Sequence, residues 1–301
     1  MSRMGVLAVC VLLVLAGCSA IPGGSGGAAA ETTTDATGES ETTAGTNGDS
    51  TGGDADLPPG LSTDGVTDAA ALAAAHEKWL EGQSYTYDRE VTVVARNGTQ
   101  LGRWSQHVQV GANRLEFNHT QTGEGLSVSG ADIGESQVYT DGSVTFWKAD
   151  AFRDGFRREP GRGFAAATFS SEQLLADVLN ASETSVTEVE SGEDETGGSD
   201  GETRYRVRAE NGSETLTYDP PNGTVTVEVT NVTATAVVAP SGFVRNVTYE
   251  FDFVRGNVSG HRTMTVRYTA VGETTVEVPA WLEDAKTVTD GTSETDETSE
   301  S

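Results

Sequence analysis

Lysine is nearly missing from this chain: only Lys78, Lys148 and Lys286 occur in 301 residues. Arginine raises the basic total to just 19, against 46 aspartates and glutamates, for a formal net charge of −27 and a pI near 4.3. Such an imbalance excludes nucleic acid as a partner, because phosphate binding needs a basic face. It also opposes docking on anionic lipid. Cysteine is equally scarce, with only Cys10 and Cys18. Four histidines are present, His76, His107, His119 and His261, without an H-E-x-x-H or paired-cysteine motif. His107 and His119 fall on neighbouring predicted strands and are the nearest approach to a metal pair. No G-x-S-x-G stands between a predicted strand and a predicted helix, where a nucleophile elbow needs it. Gly161-Arg162-Gly163 begins a dinucleotide-like pattern with no parallel strand before it, and is set aside. Asp54 and Asp56 lack the ligand spacing of a calcium loop. Carboxylates are so abundant that an acid pair carries no information. The expectation is a protein that is not an enzyme and holds no cofactor or metal. Long apolar runs are lacking too. The longest, residues 4–16, is about 13 residues, well short of the roughly 20 that span a bilayer.

That run has the proportions of a signal-peptide core, with Arg3 before it. It ends in Leu15-Ala16-Gly17-Cys18, followed by Ser19 and Ala20, and the small residues before the cysteine suit entry of an extended backbone into a peptidase cleft. The four residues resemble the lipobox of bacterial and archaeal lipoproteins. The resemblance implies a diacylglycerol-type lipid on Cys18, which becomes the first residue of the mature chain. Cys10 would leave with the leader, so no disulfide can form. Without a twin-arginine pair, the general export route is expected. Two acyl chains hold a protein stably on a membrane where one does not. The expected place is the outer face of the cytoplasmic membrane, with the lipid as sole anchor. The alternative is an ordinary signal peptide whose cleavage site contains a cysteine.

The rest divides by composition into an acidic tether (18–60), a foldable domain (61–286) and an acidic tail (287–301), with 1–17 as the leader. The tether has no large apolar side chain between Ile21 and Leu57 and cannot offset its ordering entropy. Dense carboxylate, scarce lysine and many threonines suit molar salt, where screening is nearly complete, and suggest a halophilic archaeal source. An acidic linker on an ordinary domain is the alternative.

Inside the domain, Thr67 or Asp68 can cap a helix whose Ala71, Leu72, Ala75, Trp79 and Leu80 recur at helical spacing, and Gly82 ends it. From Tyr85 the period becomes two, with Asn97-Gly98 as a hairpin turn. Strands follow near 99–110, 113–120 and 136–148, the last folded at Asp141-Gly142. A second helix is expected over 171–181, capped by Ser170 or Ser171. After an acidic loop at 190–202 come strands around 204–209, 225–238, 243–253 and 264–268. The apolar parity shift from Val229 to Val232 calls for a bulge near Thr230–Asn231. Val276 and Val278 read as an edge, stopped by Pro279. The class expected is mainly β (α+β): a large curved antiparallel sheet, a half-barrel, with an N-terminal and a mid-chain helix. So large an apolar face must curl to leave water.

This order resembles the LolA/LppX-like half-barrel lipoproteins. The lipobox, the tether, Val66-Thr67-Asp68, Ser84-Tyr85-Thr86 and Pro279-Ala280-Trp281 are also similar to haloarchaeal surface lipoproteins of unknown function. A fold-level likeness does not fix a function.

Eight of ten asparagines lie in N-x-S/T triplets: Asn97, Asn118, Asn180, Asn211, Asn222, Asn231, Asn246 and Asn257. They are glycosylation candidates, with Asn97, Asn211 and Asn222 placed at hairpin turns. Good turn chemistry explains some of them equally well. Phe152, Arg153, Phe156, Arg157, Arg158, Arg162 and Phe164 crowd into a glycine-rich segment that reads as a mobile loop. One reading is a lid whose phenylalanines touch an apolar ligand and whose arginines meet an anionic head group. The other is a loop pinned by salt bridges with its phenylalanines in the core. The expected function is a lipid-anchored, non-enzymatic binding module for an apolar or amphipathic ligand, lipid or lipoprotein cargo. A structural or interaction role in the envelope, without a small-molecule ligand, is the alternative.

Overall fold

The computed structural model describes residues 57–127, 133–152, 154–160, 169–189, 203–218 and 224–292. Cys18, the tether up to residue 56, Arg153, Arg162, Phe164, Asn222 and the acidic loop lie outside them.

A short ribbon, β1 (Leu61–Ser62) with β2 (Gly65–Val66), leads into helix α1 (Ala69–Leu80). Asp68 is extended and its carboxylate accepts from the Ala71 N–H at 2.9 Å, which caps the helix. Ala69, Leu72, Ala73, His76 and Leu80 are its buried face. Gly82, at φ +71°, releases the chain toward the first long strand.

Eleven strands then form one antiparallel sheet. The first meander comprises β3 (Tyr85–Ala95), β4 (Gln100–Val110), β5 (Glu116–Gly125), β6 (Ser136–Asp141), β7 (Val144–Lys148) and β8 (Phe156–Pro160). After helix α2 (Glu172–Leu179) comes the second: β9 (Glu183–Val189), β10 (Arg204–Tyr218), β11 (Val225–Val238), β12 (Val244–Arg255) and β13 (Val258–Thr269). The spatial order is β8-β7-β6-β5-β4-β3-β13-β12-β11-β10-β9. The two meanders meet in the middle, where β3 pairs with β13 from Thr86↔Thr269 to Ala95↔Gly260. Strands β8 and β9 are the free edges, so the sheet is open. Laid flat, ten intervals of ~4.8 Å would make it about 48 Å wide. Yet one core cluster runs from Trp147 on β7 to Tyr205 on β10. The 12 residues of α1 reach only about 18 Å. A sheet that wide shares one core under two short helices only by curling round them, and the result is a half-barrel.

The expected bulge is present. Pairing of β11 with β12 jumps from Thr230↔Asp252 to Thr233↔Glu250, one residue extra on β11, with Asn231 at φ +54°. Four features differ from the sequence reading. Asn211 makes no hairpin turn, because β10 runs on through it to Tyr218. Val276 and Val278 belong to no strand; the segment instead crosses the outer face, where the Asn118 amide donates to the Glu277 carbonyl (3.0 Å) and the Glu277 N–H to Gln109 Oε1 (2.9 Å). Phe156–Pro160 pairs with β7 as edge strand β8 rather than forming a loop. A third helix, α3 (Leu282–Thr292), runs on past 286 into the stretch expected to be tail. Threonines, two aspartates and a glycine make it a weak helix former. It forms because Trp281, Leu282 and Ala285 bury against Tyr139 and Phe146 on the outer face of β6 and β7.

Candidate ligand-binding wall

The helical cover is fastened to the sheet by His76. Its Nε2–H donates to the Ser170 carbonyl (3.0 Å), and its Nδ1 accepts from the Val244 N–H (3.1 Å). The Tyr268 hydroxyl donates to the same Ser170 carbonyl at 2.7 Å. The imidazole stacks 5.5 Å from Phe243, which in turn lies 3.9 Å from Trp79. Desolvation lowers the His76 pKa to about 4, so the ring is neutral and both nitrogens have fixed roles. This part of the concavity is filled by the protein's own side chains.

Farther across, the inner wall changes character. On β10 to β12 the inward positions are aliphatic or aromatic, among them Val207, Ala209, Val227, Ala234, Val247, Tyr249 and Phe251, all buried. On β13, β3, β4 and β5 polar groups break the apolar pattern. Arg89 pairs in register with Gln106, and Gln106 with Gln121. The Gln106 amide donates to Gln121 Oε1 at 2.9 Å, and the Gln121 amide to the Gly134 carbonyl at 3.1 Å. Arg262 stands on β13 with its guanidinium carbon 5.9 Å from the Trp104 ring and 5.5 Å from that of Phe251. His119 is fully buried 5.6 Å from Phe169; its ring nitrogens have no hydrogen-bond partner, and desolvation lowers its pKa to about 4. Among the described residues, the buried charged side chains are Arg89, Arg204 and Arg262, and no carboxylate is among them. In a chain with 46 acidic residues that segregation is a property of the wall.

The sequence reading passed over these residues. A signal was there: Arg89 occupies the inward parity of Tyr85, Tyr87, Val91 and Val93, and Arg262 that of Met264 and Val266. An arginine at a core position of a strand is rare enough to be asked about.

The described part of the expected lid divides. Phe152 packs against the inner core. Phe156 faces outward, 6.1 Å from Trp281, and Arg158 lies 5.9 Å over Phe146 on that same outer side. Arg157 is exposed and ion-paired with Glu159. The residues named as one lid therefore serve two faces. His107 and His119 point to opposite faces, because Val108 is the residue opposite His119; His107 instead contacts Asp88 at 2.7 Å. Among the described residues no group of three metal-ligating side chains converges. Asn97, Asn180, Asn231 and Asn257 are exposed, and Asn118, Asn211 and Asn246 half-buried. Two clefts lie away from the wall. One of about 540 Å³ runs along β9 and β10 by Leu57, Val186, Tyr205 and Pro240, and one of about 380 Å³ separates the start of α1 from the end of α2.

The class so defined is an open antiparallel half-barrel with helices laid into its concavity. The chain belongs to the family of unknown function DUF7537, whose model matches residues 3–285. No curated protein matches it. Among solved structures it is similar to a LolA superfamily protein from Nitrosomonas europaea, at 10% identity and a TM-score of 0.25, covering 70% of this chain and 95% of that one. It is also similar to a beta-barrel-like protein of the domain of unknown function DUF1849 from Brucella abortus, at 8% identity and a TM-score of 0.21, covering 65% and 98%. Likenesses of that level say nothing about ligand or activity.

Proposed function

We propose that this is a lipid-anchored, non-enzymatic binding module of the cell surface, and that the inner wall of β13 and β3 to β5 takes an amphipathic ligand. The observation that carries this is the uneven wall. Packing alone is served by aliphatic and aromatic side chains, as on β10 to β12. Arg262, set into that buried face with only aromatic rings and a thioether sulfur beside it, costs several kcal/mol of desolvation that those contacts offset only in part. A ligand with an apolar body and a polar head would meet both halves of the wall. Cys18 as the membrane anchor and the exposed triplets as glycan sites agree with a surface location. The competing reading is a structural envelope protein, favoured by the packed end around His76, Phe243 and Trp79.

Native mass spectrometry with lipid extraction, on full-length protein from its own host, separates the two. A stoichiometric co-purifying amphiphile is expected. A clean apo mass would transfer the weight to the structural role. The intact mass also reads the glycans: hexose additions support the Asn sites, and a bare polypeptide mass rejects them.

A further inference from the structure

Arg262 is the most demanding group on the wall. It is 6% exposed, and its contacts are two aromatic rings and, 3.8 Å from Nη2, the Met264 sulfur. Among the described residues no carboxylate lies within ion-pair distance of it. Rings stabilise a guanidinium by about 0.5–2 kcal/mol each. Removing the charge from water costs several kcal/mol, so the rings alone leave a deficit. A second observation points the same way. The Trp104 indole Nε1–H, beside Arg262, is buried without an acceptor. A buried donor normally has one. A cation thus lies 5.9 Å from the ring that carries this donor, on a wall whose described buried residues include no negative side chain. An oxyanion would satisfy both at once, since a guanidinium fork matches phosphate, sulfate or carboxylate oxygens.

We infer that Arg262, with the Trp104 indole N–H, receives an oxyanion, so that the ligand's head group is anionic. The inference rests on the amphiphile reading and narrows it. His119, deeper on the same face and neutral, adds no charge to the head-group end.

The test is a tryptophan-fluorescence titration of the full-length protein with dodecyl phosphate, dodecyl maltoside and inorganic phosphate, each below any micelle concentration. Dodecyl phosphate should bind at least about ten-fold more tightly than the maltoside, the worth of a charge-assisted contact. In Arg262→Met that ratio should collapse to about one, while Tm stays level or rises, because an apolar side chain replaces an unpaired buried charge. Arg262→Lys should keep part of the preference. Equal affinity of the wild type for the two amphiphiles overturns the anionic head group and leaves amphiphile binding standing. Inorganic phosphate binding as tightly as dodecyl phosphate, and lost in Arg262→Met, supports the oxyanion site but overturns the amphiphile. A lower Tm with the preference intact makes Arg262 a structural residue and overturns the inference.

Discussion

Two histidines are held neutral inside the half-barrel, each with a pKa near 4, chiefly because burial disfavours the imidazolium. In the unfolded chain each takes its proton near 6.5. Below that pH the unfolded state binds more protons than the folded one, so stability falls as pH falls. The contribution is whole above pH 6.5, is lost between 6.5 and 4, and changes no further below. Each shift amounts to about 3 kcal/mol. The two rings differ in what else they do. His76 is the clip between α1, Ser170 and Val244, whereas His119 makes no hydrogen bond. His119→Leu should therefore raise Tm at pH 7 and remove about half of the histidine-linked loss between pH 6.5 and 4. Paired thermal melts across that range read it as a difference from wild type, with the carboxylates common to both. A difference that does not change with pH would refute the assignment. Neither role was legible beforehand. Sequence placed His76 in a helix and His119 on a strand, but which face each shares depends on register.

At the scale of elements, α3 is the instructive case. Its sequence is a poor helix, and the outer face of β6 and β7 makes it one by offering Tyr139 and Phe146 to Trp281, Leu282 and Ala285. Trp281→Ala should cost about 3 kcal/mol of stability. Hydrogen exchange should show α3 amides losing protection while those of β3 and β13 hold theirs. Protection retained in α3 would mean that the helix stands without its anchor. The β11 bulge is the opposite case: parity alone located it, since a one-residue insertion moves every later side chain to the other face. For β8 sequence failed, because glycines and a proline around a charged stretch suit a loop or an edge strand equally. Only the partner strand β7 decides between them.

The whole molecule is organised about the β3–β13 seam, which joins residues 86–95 to 260–269. One core cluster spans both meanders. The proposed lipid anchor at Cys18 is tested at the scale of the whole molecule as well. Cys18→Ser should leave the protein unprocessed or release it into the medium, as read by fractionation and immunoblotting. Unchanged membrane retention would sink the lipid anchor.

The sequence by itself determined the class of the fold, most of its strands, α1, α2 and the bulge. Those depend on periodicity and turn chemistry, which are local. It also supplied the acidic surface and the lipobox resemblance at Cys18. Tertiary structure decided that β3 and β13 meet at the centre, that α3 folds, that Phe156 and Arg158 turn outward, and that Arg262 lies beside Trp104. Each of these is a contact between residues distant in the chain. The energy that selects them comes from burial against a particular neighbour, and a local pattern does not say which neighbour that will be.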